Sequence, residues 1–173
     1  MTILVTGGSK CGKSSFAERI LEGFPGRKIY IATMQPFGED ALEAIERHRR
    51  MRAGKGFETV ERYTDMGSAV LPEGCAVLLE CMGNLCANEM FSGEGCADPA
   101  ERIITGLRSL AERTAELVIV TNQVGSDGIA YPEGTADYIR VLGLINAGIS
   151  AFADSVIECV YGIPLVLKGD MPC

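Results

Sequence analysis

TILVTGGSKCGKSS, residues 2–15, joins an apolar, β-branched run to a glycine-rich turn and then to residues suited to open a helix. Within it, GGSKCGKS at 7–14 matches G-x-x-x-x-G-K-S, with Gly7, Gly12, Lys13 and Ser14 in the fixed places. The spacing has a mechanical reason. Glycines let the backbone wrap so that successive amides, from Gly8 through Ser9, Lys10 and Cys11, point inward at phosphate oxygens. The following helix adds its positive end. Lys13 then reaches the outer phosphates, and the Ser14 hydroxyl is placed to ligate Mg²⁺. A chance glycine-rich turn needs no strand before it and no helix after it, whereas this one has both. Binding of a nucleoside triphosphate follows.

Working outward, short apolar runs alternate with helical stretches. TILVTG (2–7) predicts a strand and Lys13 to about Glu22 a helix. KIYIAT (28–33) is a second strand, EDALEAIERHRRMR (39–52) a helix, and FETVERY (57–63) a short strand. CAVLLEC (75–81) and ELVIVTN (116–122) are buried strands, and about Thr135 to Ala153 is helical. SVIECVYGIPLVLK reads as two strands joined at Gly162 to Pro164, and FSGEGCADP (91–99) as an exposed loop between helices. This alternation predicts an α/β three-layer sandwich of P-loop type. Its mostly parallel sheet is covered on both faces and ends in an antiparallel edge hairpin. One domain, 1–173, is expected. A P-loop also wants an acid for its magnesium at the end of a buried strand, and AVLLEC supplies Glu80, which burial would disfavour without a cation.

The bulk properties exclude several classes. A formal net charge of -7 argues against a general nucleic-acid binder. No apolar run approaches the roughly 20 residues that cross a bilayer, and no signal-peptide pattern precedes the glycine motif, so a cytoplasmic protein is expected. Seven cysteines include no C-x-x-C pair, and the odd count favours free thiols over disulfides or structural zinc.

IERHRRMR (45–52) holds the only histidine, His48, among Arg47, Arg49, Arg50 and Arg52. The helix begins acidic (Glu39, Asp40) and ends basic, which suits its dipole. Pairs Glu43–Arg47 and Glu46–Arg50 have i,i+4 spacing. A solvated basic helix end would explain the arginines. It does not explain why His48 continues the stripe of Leu42 and Ile45, which should face inward or along a cleft. An imidazole among guanidinium groups suits covalent catalysis at phosphorus: the ring attacks and the arginines hold the oxygens.

Together these motifs resemble the bifunctional adenosylcobinamide kinase / adenosylcobinamide-phosphate guanylyltransferase family of cobalamin biosynthesis. The likeness runs nearly end to end, from ILVTGGSKCGKSSFAE, with Glu18, through YIAT, IERHRRMR, FETVE, VLLEC and VTNQVGSDGI to LGLINAGISAFADSV and GIPLVLK. The resemblance implies that the Gly7–Ser14 loop binds the triphosphate and that Ala32, Thr33 and Met34 line the nucleotide site. It implies that His48 is guanylylated by GTP, that Arg49, Arg50, Met51 and Arg52 lie against the nucleotide, and that Glu61 helps recognise guanine. Glu80 takes the acidic position beside Mg²⁺, with Ser14. The implied substrates are GTP, ATP and a corrinoid, adenosylcobinamide, and the implied assembly is a homotrimer with active sites near subunit contacts.

The chain departs from the family pattern at Ala53 (usually proline), Phe57 (usually tryptophan), Gln123 (usually glutamate) and Cys11 (often serine). Gln123 removes a carboxylate and leaves open a guanylyltransferase without kinase activity. Two further alternatives stand beside it. One is a P-loop small-molecule or nucleoside kinase with a structural His48. The other is a nucleotide-regulated binding protein, disfavoured because VTNQVGSDG (120–128) has Asn122 but lacks the lysine of an N-K-x-D guanine motif.

Overall fold

The computed structural model describes residues 1–92 and 97–172 and, within them, every side chain but those of Asp40 and Met51. Seven strands form one sheet: β1 (Thr2–Gly7), β2 (Lys28–Ala32), β3 (Phe57–Glu61), β4 (Ala76–Glu80), β5 (Glu116–Val120), β6 (Ser155–Val160) and β7 (Ile163–Lys168). Their order is β3-β2-β4-β5-β1-β6-β7, and every pairing is parallel except β6 with β7. The helices are α1 (Lys13–Ile20), α2 (Glu39–Arg52), α3 (Met82–Phe91), α4 (Pro99–Arg113) and α5 (Glu133–Phe152). This is the expected three-layer α/β sandwich.

Side-chain alternation along the strands divides the core in two. Val77 and Leu79 of β4, with Leu117 and Ile119 of β5, pack under α3, α4 and α5. Ala76, Leu78, Val118 and Val120 point the other way, toward Phe16, Ala17, Ile20 and Leu21 at α1. Central strands buried on both faces need nearly continuous apolar sequence, and AVLLE and ELVIV supply it. On α4 the core face is Ala100, Ile103, Leu107 and Leu110, at helical spacing.

Several boundaries differ from expectation for identifiable reasons. The first helix stops at Ile20, not Glu22, because Leu21 and Glu22 donate to Glu18 and Arg19 three residues back, tightening the last turn. The loop before α4 ends sooner than predicted. Asp98 accepts the Glu101 amide at 3.0 Å, and Pro99 already sits in the first turn. Residues 93–96 of that predicted loop, Cys96 among them, lie outside the described residues, as does Cys173. The five described cysteines are free thiols.

The terminal hairpin turns at Tyr161–Gly162, with φ of 50° and 83°, and Pro164 belongs to β7. Two left-handed residues in a two-residue turn suit the twist of a hairpin, and Pro164 is tolerated on an edge strand. Tyr161 is 94% exposed, so its ring gains nothing for the strain of its backbone. Tyr161→Asn should raise stability by about 1 kcal/mol and Tm by about 2–4 °C. Thermal unfolding that shows an unchanged or lower Tm would contradict this account of the turn.

Helix α2 is the exception to core packing. It lies at the sheet's carboxyl end, and of the predicted inward stripe Leu42 is 53% exposed, while Ile45 and His48 are half-buried. The stripe therefore lies along a cleft, and not in the core.

Candidate active site

Register builds the floor of the site. Ala32 pairs with Glu61 on one side and Glu80 on the other, and Glu80 pairs with Val120. These four end β2, β3, β4 and β5 in one row, and all line a cleft of about 700 Å³. Open parallel sheets bind ligands at this carboxyl edge, and the volume lies within the range of small-molecule sites.

The wall beyond β1 is the phosphate loop. Lys10 and Gly12 take left-handed φ of 57° and 97°, which turns the chain into α1. Ser9 through Ser15 line the cleft. Lys13 is buried, and its ammonium donates to the Gly8 carbonyl and lies 3.8 Å from Cys11 Sγ. The loop is braced from the far end of the chain, since the Gly162 amide donates to the Cys11 carbonyl at 2.9 Å.

Glu80 is the centre of the polar network. It is 7% exposed, on the α1 face with Tyr30. Its Oε1 accepts from the Ser14 hydroxyl, and its Oε2 accepts from Tyr30 at 3.3 Å and lies 3.8 Å from His48 Nδ1. Burial works to raise the Glu80 carboxyl, but the nearby His48 and the hydrogen bonds of Ser14 and Tyr30 outweigh it and hold it below the usual range. Tyr30 is pushed far up, by burial first and then by the adjacent carboxylate.

Basic groups of α2 form the roof. Arg47, His48, Arg49 and Arg52 all line the cleft. Arg49 pairs with Glu61 at 3.1 Å, and Glu61 also accepts from Tyr63 at 2.9 Å. The Arg52 guanidinium lies 3.3 Å from the centroid of the Tyr30 ring, and its buried Nη1 has no hydrogen-bond partner among the described residues. The intrahelical pairs Glu43–Arg47 and Glu46–Arg50 do not form among the described residues. Arg49 instead turns to β3 and Arg52 to β2. A buried carboxylate on α1, Glu18, takes Lys55 and so ties the turn after α2 back to α1.

Most predicted residues meet here, and a few do not. Thr33 does not line the cleft. It is fully buried, its hydroxyl donating to the Cys81 carbonyl and accepting from the Cys81 amide, both at 2.8 Å. That clamps the end of β2 to the end of β4, leaving Ala32 and Met34 as the lining residues. Gly7, which is buried, and Gly8, which is exposed, are not among the lining residues, and Arg50 is exposed on α2. The side chain of Met51 lies outside the described residues. Sequence reasoning missed Tyr30, Asn84 and Asn122, which also line the cleft, as does Arg47 of the arginine group around His48. Two signals were present: Tyr30 alternates with Ala32 along β2, and Ala44, His48 and Arg52 share i,i+4 spacing. Gln123 donates to Glu158 at 2.8 Å, so a carboxylate stands beside this position, supplied by β6.

Residues 3–167 match the family described as cobinamide kinase / cobinamide phosphate guanyltransferase. The chain is 33% identical to the bifunctional adenosylcobalamin biosynthesis protein CobU of Escherichia coli (strain K12), over 97% of this chain and 100% of that protein. The Salmonella typhimurium protein of the same name gives the same figures. The Pseudomonas aeruginosa protein CobP is 27% identical over 98% of this chain and 99% of its own. Among solved structures, an ATPase of a bacterial type III secretion system superposes with a TM-score of 0.51 at 16% identity, covering 91% of this chain and 50% of the other. A Pyrococcus horikoshii OT3 protein, PH0250, gives 0.51 at 8% identity, covering 98% and 87%. These two likenesses concern the fold alone.

Proposed function

The chain belongs to the cobinamide kinase / cobinamide phosphate guanyltransferase family and is a transferase, and on that footing we propose that it carries out both reactions of its relatives' kind within one domain, 1–173. It phosphorylates adenosylcobinamide, then transfers GMP from GTP to adenosylcobinamide phosphate through a His48–GMP intermediate, giving adenosylcobinamide-GDP. One observation carries the reading: the only histidine lies in the same cleft as the phosphate loop, roofed by three arginines and 3.8 Å from a buried carboxylate that also holds Ser14.

In the first half-reaction the imidazole of His48 attacks the α-phosphorus of GTP and pyrophosphate leaves. In the second, an oxygen of the corrinoid phosphate attacks the same phosphorus and the imidazole is restored. Splitting the transfer means that two large substrates need not be aligned at once. Lys13, Arg47, Arg49 and the unpartnered Nη1 of Arg52 stand where negative charge gathers on the phosphates. The carboxylate of Glu61 can accept the two donors of the guanine amidine edge, which adenine lacks. ATP is the proposed phosphoryl donor of the kinase step. There the carboxylate lost at Gln123 is replaced by neighbouring Glu158.

Ser14 Oγ and Glu80 Oε1 touch each other beside the loop. Two converging hard oxygen donors fit Mg²⁺, which carboxylate and hydroxyl oxygens hold together with substrate phosphates. When bound, the ion neutralises phosphate charge. The test of the whole reading is intact-mass spectrometry after incubation with GTP and Mg²⁺. A gain of one GMP is expected, and no gain would sink the histidine intermediate.

A homotrimer is part of the same proposal. Strand β7 leaves Ile163, Leu165, Val166 and Leu167 exposed, an apolar edge of the kind that sheets ordinarily cover or charge. A second copy of this chain is the proposed cover. Light scattering should give about three times the 18.5 kDa chain mass. Leu165→Lys combined with Leu167→Glu should lower it to the monomer, and a monomeric wild type would refute the assembly. No helix among the described residues is long and apolar enough to cross a membrane. We place the protein in the cytoplasm, where these nucleotides are found.

A further inference from the structure

The histidine–GMP reading leaves open which ring nitrogen carries the nucleotide and what selects it. We infer that GMP is carried on Nε2 of His48, and that Glu80 is the positioning residue that leaves this nitrogen, and not Nδ1, free to attack.

A neutral imidazole has one N–H and one lone pair, and the partner of one nitrogen decides which is which. Here the partner is fixed before the ring arrives. Glu80 ends β4 within the sheet, its neighbours Ala32 and Val120 set by register. Its Oε1 is held by Ser14 and its Oε2 by Tyr30, whose ring is in turn covered by Arg52. A carboxylate secured in this way does not swing to meet the histidine, so the histidine orients to it. The nitrogen it presents is Nδ1, 3.8 Å from Oε2. That separation is an ion-pair contact, longer than a hydrogen bond, and catalytic contacts of this kind tighten when substrate is bound. A proton on Nδ1 faces the acceptor, and the lone pair then sits on Nε2.

The chemistry balances on this arrangement. The Nε2 lone pair forms the bond to the α-phosphorus, and the bond from that phosphorus to the bridging oxygen breaks, its electron pair leaving on pyrophosphate. The ring keeps its Nδ1 proton and becomes a cation beside the Glu80 carboxylate. In the second half-reaction the acceptor phosphate oxygen bonds to phosphorus and the N–P pair returns to Nε2. Neither step requires a proton to leave the ring. Attack by Nδ1 would instead press a phosphate against a buried carboxylate, anion on anion. The logic is that of any histidine oriented from behind by a carboxylate. What is particular here is that the same carboxylate reaches Ser14 with its other oxygen, so the nucleophile and the phosphate loop are aligned by one side chain.

The test uses the full chain labelled uniformly with ¹⁵N, incubated with GTP and Mg²⁺ and then denatured at alkaline pH, where a phosphoramidate survives. Because His48 is the only histidine, long-range ¹H–¹⁵N correlation reads one ring. The phosphorus-bearing nitrogen is expected to couple to both carbon-bound ring protons, as Nε2 does. Coupling to Hε1 alone identifies Nδ1 and overturns the inference while leaving the intermediate intact. Absence of any adduct defeats the intermediate itself. In Glu80→Gln, adduct formation should slow by about 10²–10⁴-fold, and the residual label should be shared between the two nitrogens. Weakened Mg²⁺ binding would also slow the reaction but would not redistribute the label. An E80Q adduct wholly on Nε2 therefore removes Glu80 as the selector.

Discussion

His48→Ala is expected to abolish the covalent GMP adduct and to cut pyrophosphate release from GTP by about 10⁴-fold or more, while the folded protein still binds nucleotide. The reasons for expecting a clean loss are structural. His48 is half-buried on α2, a helix whose only buried described side chain is Arg52, so removing the ring opens no hole in the core. Alanine is the best helix former, so α2 keeps its geometry. The phosphate loop, Ser14 and Lys13 belong to β1 and α1 and do not depend on the ring. Two measurements separate the outcomes: intact mass after GTP treatment, and binding of a fluorescent GTP analogue. Loss of the adduct with binding within about tenfold of wild type (about 1.4 kcal/mol) is the expected pair. An alanine variant that still gains one GMP would show that another group is the nucleophile. On the proposed mechanism the phosphorylation of adenosylcobinamide by ATP uses no histidine and should survive, which would separate the two proposed half-activities in one protein.

Gly7→Ala should damage the fold and the site together. Gly7 closes β1 with φ of +142°, and an added Cβ would lie 2.4 Å from the Cys159 carbonyl oxygen and 2.8 Å from Cys11 Sγ. The first neighbour is backbone of the adjacent strand and cannot move aside without breaking the pairing of Gly7 with Cys159. The Gly7 carbonyl also accepts the Gln123 amide at 3.2 Å, so displacement would loosen the exit of β5 as well. Strained backbone combined with a backbone clash costs about 3 kcal/mol or more. For a chain of this size that is a fall of roughly 6–12 °C in Tm, with nucleotide affinity lost in parallel. Gly8→Ala is the control for stability, because its Cβ would meet nothing within 4 Å, and its Tm should stay close to wild type. A Gly7→Ala protein as stable as the Gly8→Ala one would refute this reading of the strand end.

The sequence shows the fold clearly where local pattern and tertiary burial agree. AVLLE and ELVIV are apolar without interruption because both sheet faces are covered, and GGSKCGKS fixes the strand–loop–helix entry by backbone mechanics. The helix carrying His48 could be read to its ends, but its packing could not. Leu42, Ile45 and His48 form a stripe in sequence, and a stripe does not say whether it meets a core or borders a cleft. The site was legible as residue types, with Lys13, Ser14, His48 and Glu80 all brought together. Thr33 was misplaced because a strand-end threonine looks the same whether it faces a ligand or bonds to Cys81. Tyr30 was missed because its role arises from register. Only the pairing of Tyr30 with Leu78, two residues before Glu80, puts its hydroxyl within reach of that carboxylate.

The brace between Gly162 and Cys11 also bears on the order in which the protein is made. Strand β1 and its loop leave the ribosome early, yet β1 pairs with β5 and β6, and the loop takes a hydrogen bond from the turn between β6 and β7. A nascent chain therefore carries its phosphate-binding sequence for most of synthesis without the strands that flank it or the amide that steadies it. The loop therefore reaches its braced form only once β6 and β7 have been made, and an unfinished chain presents it without that support.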